Sequence, residues 1–165
     1  MCLARAAILL AICVPRASVA QSTRQSPFQQ MLGTWEWRSR TDTFRLILQR
    51  EPAFKMPDGT TYSVMLGRHR YVRAGPVVEQ SFTLAGQDGN PGFTLFGFPT
   101  DYNSFYMSFW DMTKEKLGRS TLKIMPGNPD ELQWHLTMPT ETVGVNRVIP
   151  EGFSVPTDLV LKRVK

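Results

Sequence analysis

Hydrophobic and polar residues alternate along most of the chain with a period of two, which is typical of strands that bury one face. The alternation begins in residues 34–39, where Trp35 and Trp37 share a face, and it resumes in residues 44–48. A short polar link separates the two runs, so they predict an antiparallel hairpin. Because large aromatic residues dominate core burial, we expect at least Trp35 to be buried.

Similar runs continue toward the C-terminus and are separated by segments rich in glycine, proline, asparagine and aspartate. They predict further strands within residues 62–72, 77–82, 93–98, 102–110, 121–125, 132–138 and 159–164. Residues 51–59, 85–92 and 140–156 read as loops, and residues 126–130 as a tight reversal. Eight to ten strands at roughly ten-residue spacing predict an all-β fold, either a single antiparallel barrel or a sandwich.

One short helical turn is expected before the first strand. Ser26 suits an N-cap and Pro27 the first helical position, so residues 28–32 predict one or two turns of helix. Gly33 is a suitable residue to end it.

Residues 1–20 have the pattern of a secretory signal peptide. Arg5 precedes an apolar run at residues 6–14, and Ser18 and Ala20 occupy the −3 and −1 positions of a cleavage site before Gln21. The run is too short to span a bilayer as a helix. We therefore expect a single β-rich domain, residues 21–165, that is secreted or periplasmic, with no transmembrane segment in the mature chain.

Cysteine and charge narrow the function classes. The two cysteines, Cys2 and Cys13, both lie in the predicted signal, so the mature chain cannot be a disulfide scaffold or a thiol enzyme. Cleavage also removes Arg5 and Arg16, which lowers the net charge of +5 by two. The remaining basic residues are scattered, and we expect no nucleic-acid partner.

Sequence motifs for catalysis or metal binding are not found. The chain has no Gly-x-Ser-x-Gly elbow and no His-Glu-x-x-His, and its two histidines, His69 and His135, are far apart. We expect each histidine to be a half-buried strand residue. Asp88-Gly89-Asn90 predicts a turn rather than a calcium loop. We therefore predict no metal site and no cofactor.

Paired carboxylates remain a formal route to glycan chemistry, because that reaction needs only two acids several ångströms apart. Glu36, Asp101, Asp111 and Glu115 are available, and none of them lies in a motif. The sequence thus assigns no catalytic residue, and we predict that the protein is not an enzyme.

Residues 68–73 form the densest positive segment, Arg-His-Arg-Tyr-Val-Arg. On a strand, Arg68 and Arg70 share a face with Val72, while His69, Tyr71 and Arg73 share the other. One interpretation is a contact with an anionic partner such as a glycolipid or an acidic polysaccharide. The favoured interpretation is a solvated sheet face that charge protects from edge pairing.

Two resemblances accompany these patterns. Gly33-Thr34-Trp35 after a helical turn resembles the Gly-x-Trp start of lipocalin-like barrels, in which the tryptophan closes one end. The ordered segments 32–37, 43–48, 66–75 (Leu-Gly-x-x-x-Tyr-Val-x-x-Gly) and 153–156 (Phe-Ser-Val-Pro) together resemble a family of small secreted bacterial proteins known as a domain of unknown function.

This resemblance covers nearly the whole mature chain, and it implies a secreted β-rich fold without implying an activity. Two departures stand out. Residues 73–76 read Arg-Ala-Gly-Pro where the family tends to have Asn-Gly in the turn, so Pro76 is expected to alter that hairpin. Residues 86–101 are also rich in glycine and proline here.

Aromatic residues leave the function open between two main hypotheses. An eight-stranded barrel holds either side chains or one small ligand. The first hypothesis is a non-enzymatic, exported barrel that binds a small apolar ligand or a cell-envelope component, with its binding residues unassigned. The alternative is a structural or protein-interaction module with a filled core, and a two-carboxylate glycan enzyme is the third. The aromatics concerned are Trp35, Trp37, Phe44, Phe93, Phe96, Phe98, Phe105, Tyr106, Phe109 and Trp110.

Overall fold

The computed structural model describes residues 26–82, 92–98, 104–139 and 149–165. Within these ranges lie one short helix and nine strands. They are α1 (Pro27–Met31), β1 (Gly33–Arg38), β2 (Thr43–Lys55), β3 (Thr61–Val72), β4 (Val77–Gln80), β5 (Leu95–Gly97), β6 (Ser104–Asp111), β7 (Lys116–Met125), β8 (Asn128–Thr137) and β9 (Asp158–Arg163).

The strands form a closed antiparallel barrel. The sheet order is β2-β1-β9-β8-β7-β6-β5-β3-β4, and an additional pairing between β2 and β3 closes eight of the strands into a ring. The ninth, β4, pairs with one end of β3 beyond the part that pairs with β5. The predicted all-β class is confirmed, and of the two predicted architectures the barrel is the one formed. The predicted division at residue 20 lies outside the described residues.

The N-terminal helix covers one end of the barrel. The Ser26 hydroxyl accepts a hydrogen bond from the Gln29 amide at 3.4 Å, as expected of an N-cap. The helix begins at Pro27, the predicted first helical position, but it ends at Met31 rather than at Leu32, and Gly33 does not end it. Gly33 is instead the first residue of β1, where its φ of 117° is a conformation that favours glycine.

Trp35 lies directly beneath this helix and is fully buried, as predicted. Its indole Nε1 donates to the Met31 carbonyl at 2.8 Å, and the Arg163 guanidinium lies 4.1 Å from its ring centroid. Arg163 also donates to the Leu32 carbonyl at 2.8 Å. The first and last strands are thereby joined to the helix around one tryptophan.

Side chains fill the barrel interior between the described strands. The rings of Phe44 and Phe109 lie 5.4 and 5.7 Å from that of Trp134, measured between centroids. Gly118 faces inward, and a Cβ on it would lie 2.7 Å from the Phe153 ring. The largest fully buried side chains are Trp35, Trp134, Phe44, Phe105, Phe109, Met31, Leu46, Leu48, Met65, Leu95, Met107 and Leu122. The interior is thus a packed core.

Several strand boundaries differ from the sequence expectation. β2 runs on to Lys55 through residues predicted to be a loop, because its pairing with β3 continues past a register shift between Glu51 and Phe54. Pro52 falls within that shift, where a missing amide donor is tolerated. β7 begins at Lys116 rather than at residue 121, and β5 is shorter than predicted. The predictions for residues 83–91, 99–103 and 140–148 lie outside the described residues.

The hairpin between β3 and β4 forms with Pro76 in place. Ala74 and Gly75 both have positive φ, 51° and 106°, and the Arg73 amide donates to the Pro76 carbonyl at 3.0 Å. The register then shifts by one residue, so that Tyr71 pairs with Glu79. A shift of one residue moves a side chain to the opposite face of a strand. Glu79 therefore points into the barrel.

Candidate functional site

Buried polar side chains gather at the barrel end opposite the helix. This polar cluster consists of His69, Glu79, Ser81, Thr94, Asp111, Lys116 and Ser154; all but Ser154 are buried, and Ser154 is partly so. Residues 149–157 lie across this end, and Phe153 from that segment packs on Phe109 with ring centroids 6.4 Å apart.

Glu79 is the centre of the cluster. One carboxylate oxygen lies 2.9 Å from His69 Nε2 and accepts from the Met112 amide at 3.1 Å. The other accepts from the Thr113 amide at 3.2 Å and from the Ser154 hydroxyl. Burial alone would raise the pKa of Glu79, but hydrogen bonds, led by the one to His69, lower it to about 2. Glu79 is thus an ionised carboxylate with four donors.

Asp111 and Lys116 hold the covering segment from the other side. Asp111 accepts from the Ser154 amide at 2.7 Å and from the Lys114 amide at 2.8 Å. Lys116 donates to the Pro150 carbonyl at 2.6 Å and to the Gly152 carbonyl. Burial is the main cause that lowers the pKa of Lys116, and repulsion from the charge of Lys114 lowers it further. These bonds fasten the segment to the turn between β6 and β7.

The remaining members of the polar cluster form hydrogen bonds with His69. The ring Nδ1 lies 2.7 Å from the Thr94 hydroxyl, and the His69 amide donates to the Ser81 hydroxyl at 2.9 Å. His69 is completely buried, so the expectation of a half-buried residue is wrong for it. The register shift that turns Glu79 inward gives the ring a charged partner, which offsets the cost of burying it.

The geometry of the cluster suits structure better than nucleophilic chemistry. Ser154 donates toward carboxylates, at 2.9 Å for Asp111, and the described contacts of His69 are with Glu79, Thr94 and Ser81 rather than with Ser154. A serine nucleophile needs a base within hydrogen-bond reach of its hydroxyl. The cluster is a buried network whose polar groups are bonded to one another, and such networks fix a unique core.

Of the other predicted acids, Glu36 does not join Asp111. Glu36 forms ion pairs on the outside of the barrel with Arg38 and with Arg45, the latter at 2.6 Å. The Arg38 hydrogen bond is the main influence that lowers the pKa of Glu36 against burial. Glu115 lies in the turn after β6 with a φ of 47°. Asp101 lies outside the described residues.

His135 differs from His69. It is exposed, and its ring pairs with Asp158, whose pKa the His135 hydrogen bond lowers. The half-buried expectation is therefore wrong for His135 as well. Within the described ranges, no three His, Asp or Glu side chains stand close enough to hold a metal ion.

The basic segment is divided between two faces, as its alternation predicts. His69 and Tyr71 are buried inside, whereas Arg68 and Arg70 are only partly buried on the outer side. The Arg68 guanidinium lies 4.7 Å from the Phe93 ring centroid. Arg73 lies after the end of β3 and is exposed, so the expectation that it shares the face of the buried His69 and Tyr71 is wrong. Part of this charge therefore borders an apolar surface.

That apolar surface is an outer groove on β5, β6 and β7. It consists of two troughs that share Phe96, Ser108 and Leu117. The first, about 260 Å³, adds Phe54, Leu66, Phe93, Thr94, Leu95 and Trp110. The second, about 460 Å³, adds Gly97, Phe98, Tyr106, Met107, Gly118, Arg119 and Pro139.

Large apolar side chains of the outer groove are exposed. Tyr106 is 61% exposed, Leu117 55%, Phe98 44% and Trp110 41%. The centroid of the Phe96 ring lies 5.3 Å from that of Phe54 and 5.3 Å from that of Phe98, so these three rings form a continuous aromatic row. Of the aromatics singled out from the sequence, Trp35, Phe44, Phe105 and Phe109 are core residues, Trp37 packs against the core, and Phe93, Phe96, Phe98, Tyr106 and Trp110 line this groove.

Sequence reasoning missed Glu79 and Ser154 as members of the polar cluster. Val77-Val78-Glu79 gives no sign of the register shift, and Ser154 lies in a segment without alternation. No described helix is both long enough and apolar enough to cross a membrane.

Comparisons with known proteins give a family and no activity. No curated protein matches the chain, and no solved structure does. A family model described as a family of unknown function, DUF6705, matches residues 3–163. The resemblance to a domain of unknown function is thereby confirmed, and the chain belongs to the DUF6705 family.

Proposed function

We propose that the protein is an exported, non-enzymatic barrel that binds an apolar or amphipathic component of the cell envelope along its outer groove. The observation that carries the proposal is the exposed apolar surface of Phe98, Tyr106, Trp110 and Leu117, which lies beside the contacting rings of Phe54 and Phe96. Exposed apolar patches of this kind mark binding sites, because leaving them in water costs free energy.

Placing the ligand outside the barrel follows from the packed interior. The middle of the barrel, where an internal ligand would lie, is filled by the packed rings of Trp134, Phe44 and Phe109. Trp35 and the helix cover one end, and the polar cluster with residues 149–157 covers the other. A ligand inside would have to displace these side chains, whereas the groove outside is already formed. Its larger trough, about 460 Å³, has the size of a small-molecule site.

Burial of the reactive groups supports a non-enzymatic role. His69 and Asp111 have no exposed surface, so they cannot touch a substrate without opening the barrel. The alternating strands carry few polar groups into the groove, where Ser108 and Arg119 are the main ones. Export is supported by the signal-like pattern of residues 1–20.

Titration of the mature protein with dodecanol and laurate tests this function. Tryptophan fluorescence should change with saturation, since Trp110 lines the groove. Bound ligand should also stabilise the fold by about 2.7 kcal/mol at a hundredfold excess over Kd. Leu117→Ser should weaken binding, whereas Val160→Ser is a matched control because it removes a 43% exposed aliphatic side chain on β9, away from the groove.

Equal weakening by both variants, or the absence of saturation, would contradict the proposal.

The filled interior also supports a second function, a protein-interaction module that uses the same face. In that case neither amphiphile would bind, and Leu117→Ser would instead weaken association with a protein partner.

A further inference from the structure

We infer that the occupant of the outer groove is a single anionic amphiphile, a long-chain carboxylate whose head group binds at Arg119 and whose chain follows the aromatic row. This inference rests on the proposed function and adds the charge and position of the head group. Arg119 lines the larger trough and is exposed on β7.

Arg119 has no competing partner among the described residues. Its side chain makes no ion pair or side-chain hydrogen bond there, and only its carbonyl accepts, from Thr137 at 3.4 Å. Its neighbours across the sheet are Ser108 on β6 and Thr137 on β8, which are both uncharged. An arginine in this setting retains all its donors for a planar carboxylate.

The surrounding charge also favours an anion. The outward positions of the described strands β5, β6 and β7 carry no carboxylate. A cationic head group would find no partner there. A neutral head group would gain no ion pair from Arg119.

The shape of the groove favours one molecule over a bilayer. The trough that contains Phe54, Leu66, Phe93 and Trp110 continues from the Arg119 trough through Phe96 and Leu117. A concave apolar trough contacts an alkyl chain along its length, and Arg119 lies at the β7 side of this trough, opposite Ser108. Docking on a membrane would instead present a convex apolar face to the lipid.

Laurate, dodecanol and dodecyltrimethylammonium share a twelve-carbon chain and differ in head-group charge, so they test the inference on the intact mature protein. The expected order of affinity is laurate, then dodecanol, then the ammonium compound. Arg119→Gln should weaken laurate about tenfold, as for loss of a charge-assisted bond, and leave dodecanol unchanged. Lys123→Gln is the matched control, since it removes a cation from the same strand face outside the groove and should leave both affinities unchanged.

The outcomes separate the two proposals. Equal affinity for laurate and dodecanol in the parent and in Arg119→Gln would overturn the head-group assignment and leave the proposed function standing. If no amphiphile binds, both fail. If the protein sediments with phosphatidylglycerol vesicles but does not bind monomeric laurate, a membrane surface replaces the single amphiphile and the inference is overturned.

Discussion

The two faces of β6 show how differently this barrel treats its inside and its outside. The inward positions Phe105, Met107 and Phe109 are buried, and they end in a buried acid, Asp111. The outward positions carry Tyr106 and Trp110, two aromatics that are about half exposed. At this end of the strand, the charge is inside and the aromatic ring is outside, which reverses the usual distribution.

The reversal separates the residues that hold the fold together from those to which we assign binding. Inside the barrel, the polar groups of the cluster are held by several hydrogen bonds. Asp111, for example, accepts hydrogen bonds from Ser154 and from the Lys114 amide. Buried groups with all their partners present stabilise one arrangement and offer nothing to a ligand. Outside, Trp110 has apolar surface that no described residue covers completely. The exposed aromatics are therefore the part of the molecule whose presence the fold does not explain.

The largest expected effect on stability concerns the apolar end of the interior. Trp35→Ala removes a fully buried ring, together with its hydrogen bond to Met31 and its contact with Arg163. Such truncations cost about 3–5 kcal/mol, a large share of the roughly 5–15 kcal/mol that stabilises a domain. Thermal unfolding should show a strongly lowered Tm or no folded protein. An unchanged melt would show that the helix does not close the barrel on this ring.

The polar end should make stability depend on pH. The pKa of Glu79 is about 2 in the folded protein, below its usual 4.5, so the unfolded chain binds the proton more readily. The contribution of Glu79 is fully present above about pH 5 and is lost as the pH falls toward 2. Urea unfolding should show the difference in stability between the parent and Glu79→Gln shrinking by about 2 kcal/mol over that window.

Carboxylates outside the polar cluster titrate equally in the parent and in Glu79→Gln, so the difference between the two proteins reports the cluster alone. A difference that stays constant from pH 7 to pH 2 would show that Glu79 is not an ionised group bonded in the core. The network would then be held by its neutral members.

The alternation of residues predicted the barrel strands well where one face is buried. Residues 34–39 and 44–48 form the expected hairpin, because Trp35, Phe44 and Leu46 need a core. Alternation alone left barrel and sandwich open, because both have half-buried antiparallel strands. Closure depends on the long-range pairing between β1 and β9, which brings the two ends of the described chain together.

The sites were less predictable than the strands. Glu79 enters the core only because the register shifts beside Tyr71, and a single inserted residue leaves no periodic signal. The outer groove contains residues that the sequence identified as aromatic, yet their period of two fits either face. Which face is exposed depends on the partner strands.

The packed interior makes a prediction of intermediate size. Gly118→Ala would place a Cβ 2.7 Å from Phe153 and 2.8 Å from Leu136, so the covering segment must shift. Overpacking of this kind costs about 1–3 kcal/mol. Unfolding in urea measures it, and Phe153→Leu in the same chain should recover part of the loss. If Gly118→Ala leaves the free energy of unfolding unchanged, the interior contains unfilled space, and that result would favour a ligand inside the barrel.

The smallest effect on stability is expected at the outer face, where the effect on binding should be large. Trp110→Ala removes a ring that is 41% exposed and lines the first trough of the groove. A ring that is already 41% exposed has less buried surface to lose than a fully buried one, so its truncation should cost clearly less than the roughly 3–5 kcal/mol expected of Trp35→Ala. Removing the ring removes the apolar area that it would bury against the alkyl chain, so laurate should bind several-fold more weakly. Measured side by side, Trp35→Ala should lower Tm and Trp110→Ala should lower affinity. A Trp110→Ala variant that unfolds as readily as Trp35→Ala would place this ring in the structural core and remove the contrast between the two faces.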